Sequence, residues 1–221
     1  MSRFPRDSGA TRLGWAGRLM TPTHASTALD DQTRRLVGAL HGRVLEIGAG
    51  YGENFDVLSS DIDYVALEPN AKRLDELAYE ADRHGHSAPP IQAGAENIPL
   101  PDASVDAVLG TIVLCSVTDT NRVLTELLRV LKPGGSYVFV EHVAAPRGTW
   151  RRAAQRIASP FMKLAAGGCD PVRDTEARLR ASGLVITEIE HYDLPGALGV
   201  PVPFIAGVAV KPGNTDESGH A

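Results

Sequence analysis

The run Arg43-Val44-Leu45-Glu46-Ile47 leads straight into Gly48-Ala49-Gly50-Tyr51-Gly52. The short apolar run predicts a buried strand, and the alternating glycines predict a tight turn after it. Glycine reaches positive φ and has no Cβ to hold a ligand away from the backbone. A helix expected over 53–59 would then offer free N–H groups to a polar ligand. The spacing is G-x-G-x-G, not the G-x-G-x-x-G of dinucleotide folds, and no Lys-Ser/Thr pair follows to make a P-loop. Glu46 closes the strand beside the turn, where an acid can meet a cationic group on a ligand. The plainer alternative is an acid that caps a neighbouring helix.

The rest of the chain repeats this alternation. Further strands are expected at 64–67, 91–93, 107–114, 136–141, 184–190 and 205–210. Helices are expected at 26–40, 73–83, 120–131 and 175–181, with Ser26 or Thr27 capping the first and Asp119 the third. Lys132-Pro133-Gly134-Gly135 is a strong stop and turn. This order implies an α/β fold: a seven-stranded, mostly parallel sheet with helices on both faces. In such sheets ligands bind beyond the carboxyl ends of the strands. Glu46 and the glycines, Glu68, Ala95-Glu96, 111–116 and Glu141-His142 all fall there.

The 221 residues suit one domain. We read residues 1–40 as an arm with covering helices, 41–212 as the main domain with a helical lid at 144–169, and 213–221 as a disordered tail. A net charge of -5 argues against general nucleic-acid binding, which needs clustered Lys and Arg. Cys115 and Cys169 are too few for a disulfide framework or a zinc site, and Cys115 sits in an apolar run that predicts a buried thiol. No metal is expected. The first residues do not form a signal peptide, and no run is long enough to span a bilayer. A cytoplasmic location is the expectation. Trp15, Leu19 and Met20, with Arg12 and Arg18, suggest a short amphipathic turn that covers the active site, with weak membrane-surface contact as the alternative.

Taken together, 44–52, Glu68-Pro69-Asn70, Ala95-Glu96-Asn97-Ile98-Pro99 and Leu131-Lys132-Pro133-Gly134-Gly135 resemble a class I S-adenosylmethionine-dependent methyltransferase, a Rossmann-like fold. A narrower resemblance, to the methyltransferase-like alkyl thiol methyltransferases of animals, rests on 113–117, 141–145, Thr149-Trp150, Gly168-Cys169 and 207–211. Those proteins begin with a hydrophobic anchor, and this chain begins Ser2-Arg3-Phe4-Pro5, which implies a soluble relative. The resemblance implies that Glu46 and the loop Gly48, Ala49, Gly50 and Tyr51 hold the methionine end of the cofactor. Glu68 takes both ribose hydroxyls, with Pro69 and Asn70 beside it. Ala95 and Glu96 lie at the adenine edge, where Gly94 replaces the Asp found in many relatives. Thr111 and Ile112 line the boundary between cofactor and acceptor.

The implied reaction passes a methyl group to a small-molecule acceptor and leaves S-adenosylhomocysteine. A thiol is the first expectation; oxygen, nitrogen or carbon of a metabolite such as a phenol or quinone is the alternative. His142, after the fifth strand, is the candidate base or orienting group, and His24 is a second that would reach in from the front helix. In the lid, Trp150, Phe161, Met162 and Leu164 are candidates for an apolar pocket wall, or for ordinary packing against the sheet. Its basic residues read either as an attractor of anionic substrate or as a solvated face. The chain is expected to act as a monomer or homodimer.

Overall fold

A computed structural model describes residues 23–165, 168–196 and 200–213. The amphipathic turn expected near Trp15 and nearly all of the expected tail lie outside the described residues.

Six strands form one sheet: β1 (Arg43–Ile47), β2 (Asp63–Leu67), β3 (Val105–Thr111), β4 (Leu131–His142), β5 (Val185–Leu194) and β6 (Val202–Val210). Their order across the sheet is β2-β1-β3-β4-β6-β5. The pairings β2–β1, β1–β3 and β3–β4 are parallel, whereas β4–β6 and β6–β5 are antiparallel. Among the described residues the sheet is therefore mixed and six-stranded, in place of the expected seven-stranded and mostly parallel one. The strand expected at 91–93 shrinks to a single parallel bridge between Ile91 and Leu67. Pro89 and Pro90 before it carry no N–H, and the Ala93 N–H turns back onto the Ile91 carbonyl, so the ladder stops after one residue. The antiparallel edge follows from the short link between β5 and β6, which allows a hairpin but not a crossover.

The helices are α1 (His24–Gly38), α2 (Leu74–Arg83), α3 (Thr120–Val130), α4 (Trp150–Ala165) and α5 (Thr175–Ala181). The α1 cap is Thr23, in a reciprocal pair with Ser26, so the helix begins two residues earlier than expected. Asp119 caps α3 by accepting from the Asn121 and Arg122 amides. Side chains of the strands alternate between two cores. Leu45, Val108 and Phe139 pack on one face with Leu127 of α3 and Leu179 of α5. Val44, Leu109 and Val138 pack on the other with Leu29 of α1 and Leu77 of α2. Helices on both faces bury the centre of the sheet, so only its ends are free for a ligand. Lys132–Gly135 bulges out of the β3–β4 ladder, whose register jumps from Val105↔Leu131 to Ala107↔Ser136.

The helix expected over 53–59 is absent; turns take its place. The Phe55 N–H reaches the Gly52 carbonyl, and the Val57 and Leu58 N–H groups share the Asn54 carbonyl. The free helix-start amides argued from sequence are therefore not there. The Gly50 and Tyr51 amides are held by the Glu68 and Glu53 carboxylates.

The lid helix α4 lies the other way round from a packed apolar wall. Trp150, Ile157, Phe161 and Leu164 are exposed, while Arg152, Gln155 and Ser159 are buried. Polar contacts hold this helix. Gln155 accepts from the Ala145 N–H and donates to the Val143 carbonyl, Arg152 pairs with Asp174, and Ser159 donates to Asp170. Arg147, Arg151 and Lys163 pair with Asp174, Asp193 and Asp170, so these lid charges are largely met within the chain.

Candidate functional site

The loops after β1 and β2 are laced together at the carboxyl edge of the sheet. Gly48 and Gly50 both have φ of 61°. A Cβ on Gly48 would lie 2.8 Å from Cγ2 of Val113, and one on Gly50 would lie 2.5 Å from Oε2 of Glu53. Glycine is favoured at both positions by conformation, and at Gly48 also by the close Val113 methyl, whereas the Glu53 side chain can swing away from Gly50. Gly48→Ala is expected to lower unfolding stability by about 1–2 kcal/mol, the strain of a left-handed L-residue. Chemical denaturation checks this, and an unchanged midpoint would show that the loop relaxes freely.

Glu68 is almost fully buried. Its Oε2 accepts from the Gly50 N–H at 3.0 Å and its Oε1 from the Asn70 N–H at 2.9 Å. The Ala49 N–H reaches the Leu67 carbonyl at 3.0 Å. Arg73 stands 3.6 Å from Glu68 and also lies over the Tyr51 ring. A carboxylate oxygen can accept two hydrogen bonds and each Glu68 oxygen accepts one amide here, so Glu68 keeps acceptor capacity while it fixes both loops. Tyr51, Pro69 and Asn70 form the exposed rim, where the Asn70 side chain caps the single turn Ala71–Arg73.

Glu46 lies beneath the glycine loop and is 1% exposed. It accepts from Asn54 Nδ2 and from the Tyr64 hydroxyl, each at 2.6 Å. Burial pushes its pKa up to about 7, against the opposing pull of these two hydrogen bonds. Asn54 also donates to Thr111 Oγ1 at 3.1 Å, tying the end of β3 to the same network. Ile112 follows with φ of 59°, a left-handed conformation that a β-branched residue rarely adopts. Its N–H is held by the Val140 carbonyl at 2.7 Å. Such strain persists only where the surroundings enforce it. Ala95 is buried. The half-buried Glu96 accepts from the Thr118 N–H at 2.9 Å, so its carboxylate braces the loop before α3.

Asn54 thus joins Glu46 to Thr111, Glu68 joins Gly50 to Asn70, and Gly48 and Ala49 lie on the loop between Glu46 and Gly50, while Glu96 binds the loop before α3. His142 belongs to a neighbouring cluster. It is buried, lies tilted against the Phe204 ring with centroids 5.5 Å apart, and places Nδ1 3.3 Å from Cys169 Sγ. Burial lowers its pKa to about 4, so the imidazole is neutral near pH 7. His24 is exposed at the first position of α1, a helix that packs on β4, β5 and β6. Sequence reasoning missed Asn54 and Tyr64 as partners of Glu46, and Glu141 as an anchor. Asn54 was legible as the one amide side chain next to the glycine turn; Tyr64 carried no signal. A pocket of about 590 Å³ opens at the ends of β4, β5 and β6, lined in part by Val143, Arg151, Thr175, Tyr192 and Phe204. Among the described residues, no group of three or more His, Cys, Asp or Glu side chains is placed to hold a metal, and no helix is long and apolar enough to cross a membrane.

This fold is that of many solved structures. A [4+2]-cyclase, SpnF, matches with a TM-score of 0.67 at 21% identity, over 88% of this chain and 84% of that one. A putative methyltransferase from Bacillus halodurans matches with a TM-score of 0.66 at 18% identity, over 84% and 99%. A cyclase and a methyltransferase on one scaffold show that the fold alone does not fix the reaction. The sequence carries more. The "Methyltransferase domain" family profile matches residues 45–139. Thiol S-methyltransferase TMT1A of Homo sapiens is 34% identical over 171 residues, 76% of this chain and 70% of the relative. Thiol S-methyltransferase TMT1B of Homo sapiens is 35% identical over 189 residues, 83% and 77%. The chain is a class I S-adenosylmethionine-dependent methyltransferase. It belongs to the family that includes these two proteins.

Proposed function

We propose that the chain methylates a small thiol at sulfur. The observation that carries this is the similarity to TMT1B, which runs through 83% of the chain and so includes the acceptor half as well as the cofactor half. S-adenosylmethionine, when bound, supplies an electrophilic methyl group on a sulfonium. A left-handed glycine turn that any Cβ would fill, set between two buried carboxylates, fits a ligand with a cationic amino-acid end and a ribose.

We assign Glu46 and the backbone of Gly48, Ala49 and Gly50 to the cationic end, with Tyr51 covering it. Glu68 takes the ribose, flanked by Pro69 and Asn70, and the backbone at Ala95 and Glu96 takes the adenine edge. Thr111 and Ile112 border the acceptor. The residues' main task is to align the acceptor and exclude water. A thiol needs little base catalysis, because a few per cent is already thiolate near neutral pH. A neutral, weakly basic His142 suits that chemistry, and we give it the orienting half of its expected role. His24, exposed on α1, has no role in this proposal.

A methyl-transfer assay against small thiols, phenols and amines, with products identified by mass, tests the reading. Methylated thiols are expected, and His142→Ala is expected to retain thiol methylation within about tenfold, since losing a true general base costs about 10²–10⁴. Transfer to oxygen or nitrogen acceptors alone would overturn the thiol assignment.

A further inference from the structure

The chain has two cysteines, and the fold brings them together although 53 residues separate them in sequence. Cys115 lies on the loop after β3 and Cys169 on the segment after α4; both are buried free thiols. The Asp170 N–H reaches the Cys115 carbonyl at 2.9 Å, so the two main chains are adjacent. Both are also clamped. Glu141 accepts from the amides of Val113, Leu114 and Cys115. One Nη of Arg173 binds the Leu114 carbonyl, the Val117 carbonyl and the Thr120 hydroxyl at 2.9, 2.6 and 2.8 Å. Gly168 packs so closely that a Cβ would lie 3.2 Å from the Ser116 carbonyl oxygen.

The two sulfurs are chemically different. Cys115 and Cys169 pack in one buried cluster, and the interaction between them pushes the Cys115 thiol up and draws the Cys169 thiol down. Cys169 has a second polar neighbour in His142 Nδ1, and at 4% exposure it is the more accessible of the two, Cys115 being 0% exposed. A lowered thiol beside a hydrogen-bonding partner attacks first, and a higher thiol in contact with it resolves.

We propose that Cys115 and Cys169 form a redox-active dithiol that reacts with low-molecular-weight disulfides, with Cys169 attacking and Cys115 resolving. The Cys169 thiolate attacks one sulfur of R–S–S–R, forming a mixed disulfide and releasing RS⁻, which takes up the proton Cys169 has lost. Cys115 then attacks Cys169 Sγ, forming the Cys115–Cys169 bond and releasing the second RS⁻ with the Cys115 proton. The protein dithiol is oxidised by two electrons and the small disulfide is reduced to two thiols. The bond would lock the segment after α4 to the loop that borders the proposed acceptor site.

The test incubates the full chain with oxidised glutathione, then with dithiothreitol, reading mass, free-thiol count and linked peptides. Free thiols are expected to fall from two to zero with a monomeric Cys115–Cys169 linkage, and to return on reduction. Cys115→Ser should accumulate glutathione on Cys169. Cys169→Ser should leave Cys115 unmodified in the folded chain and reactive after denaturation. Two free thiols in native wild type that react only in denaturant, or disulfides formed only between chains, would overturn the proposal. The wild-type measurement stands even if a variant fails to fold.

Discussion

Replacing Glu141 with alanine is expected to lower unfolding stability by about 3–5 kcal/mol. Glu141 is 0% exposed at the end of β4. Its Oε1 accepts from the Val113 and Leu114 amides at 3.0 and 2.8 Å, and its Oε2 from the Cys115 amide at 3.3 Å. These amides follow the left-handed Ile112, where the chain has left β3 and has no ladder partner. A buried donor without an acceptor costs about 1–3 kcal/mol, and partial relaxation keeps three of them below their sum. Burial holds the Glu141 carboxyl well above the usual range, against the pull of the three amides. Glutamine can keep one oxygen on the Val113 and Leu114 amides but leaves the Cys115 amide facing an NH₂, so it should cost about 1–3 kcal/mol, less than alanine. Denaturant midpoints of the two variants separate these values. Equal losses in both would show that the charge of Glu141, not its acceptor geometry, anchors the loop.

The legible parts of the molecule are those set by local backbone chemistry. Alternating glycines after an apolar strand specify a left-handed turn wherever they occur, and Gly48 and Gly50 adopt it. The acids that end β1 and β2 fall beside that turn because a parallel sheet aligns its carboxyl ends. The illegible parts depend on where side chains go. The sequence after Gly52 reads as a short helix, but the Asn54 and Glu53 side chains turn back onto Glu46 and Tyr51 and hold the segment in turns. The apolar stripe of α4 reads as a buried face, yet Gln155 and Arg152 reach backbone and carboxylate partners on the neighbouring segments and turn the stripe outward. Tyr64 looks like strand core until its hydroxyl is seen on Glu46, and the cysteine pair depends on the path of the whole lid.

Cofactor affinity is expected to rise about tenfold between pH 6 and pH 8, and Glu46→Gln to abolish that rise. Glu46 is held at about 7 by burial, from an ordinary value of 4.5. Between those values the folded chain keeps a proton that the unfolded chain has lost. The stability Glu46 contributes is thus fully present below about 4.5 and is lost as the pH rises through about 7, a total of about 3 kcal/mol as an upper figure. Under the role proposed for it, Glu46 faces a cationic ligand group, which favours the ionised form. Binding below pH 7 must then expel the proton, and affinity should fall tenfold per pH unit there and level off above it. Calorimetric titration of S-adenosylmethionine in buffers of different ionisation enthalpy reads this directly, as release of about one proton at pH 6 and little at pH 8. Glutamine keeps an acceptor for Asn54 or Tyr64 but cannot ionise. It should weaken binding at pH 8 by roughly 10- to 150-fold, the worth of a hydrogen bond to a charged group, and leave affinity flat with pH. A wild-type affinity that is flat from pH 5.5 to 8.5 would remove Glu46 from the cationic end of the site. It would leave Glu46 as a structural acid that joins Asn54 and Tyr64 beneath the glycine loop.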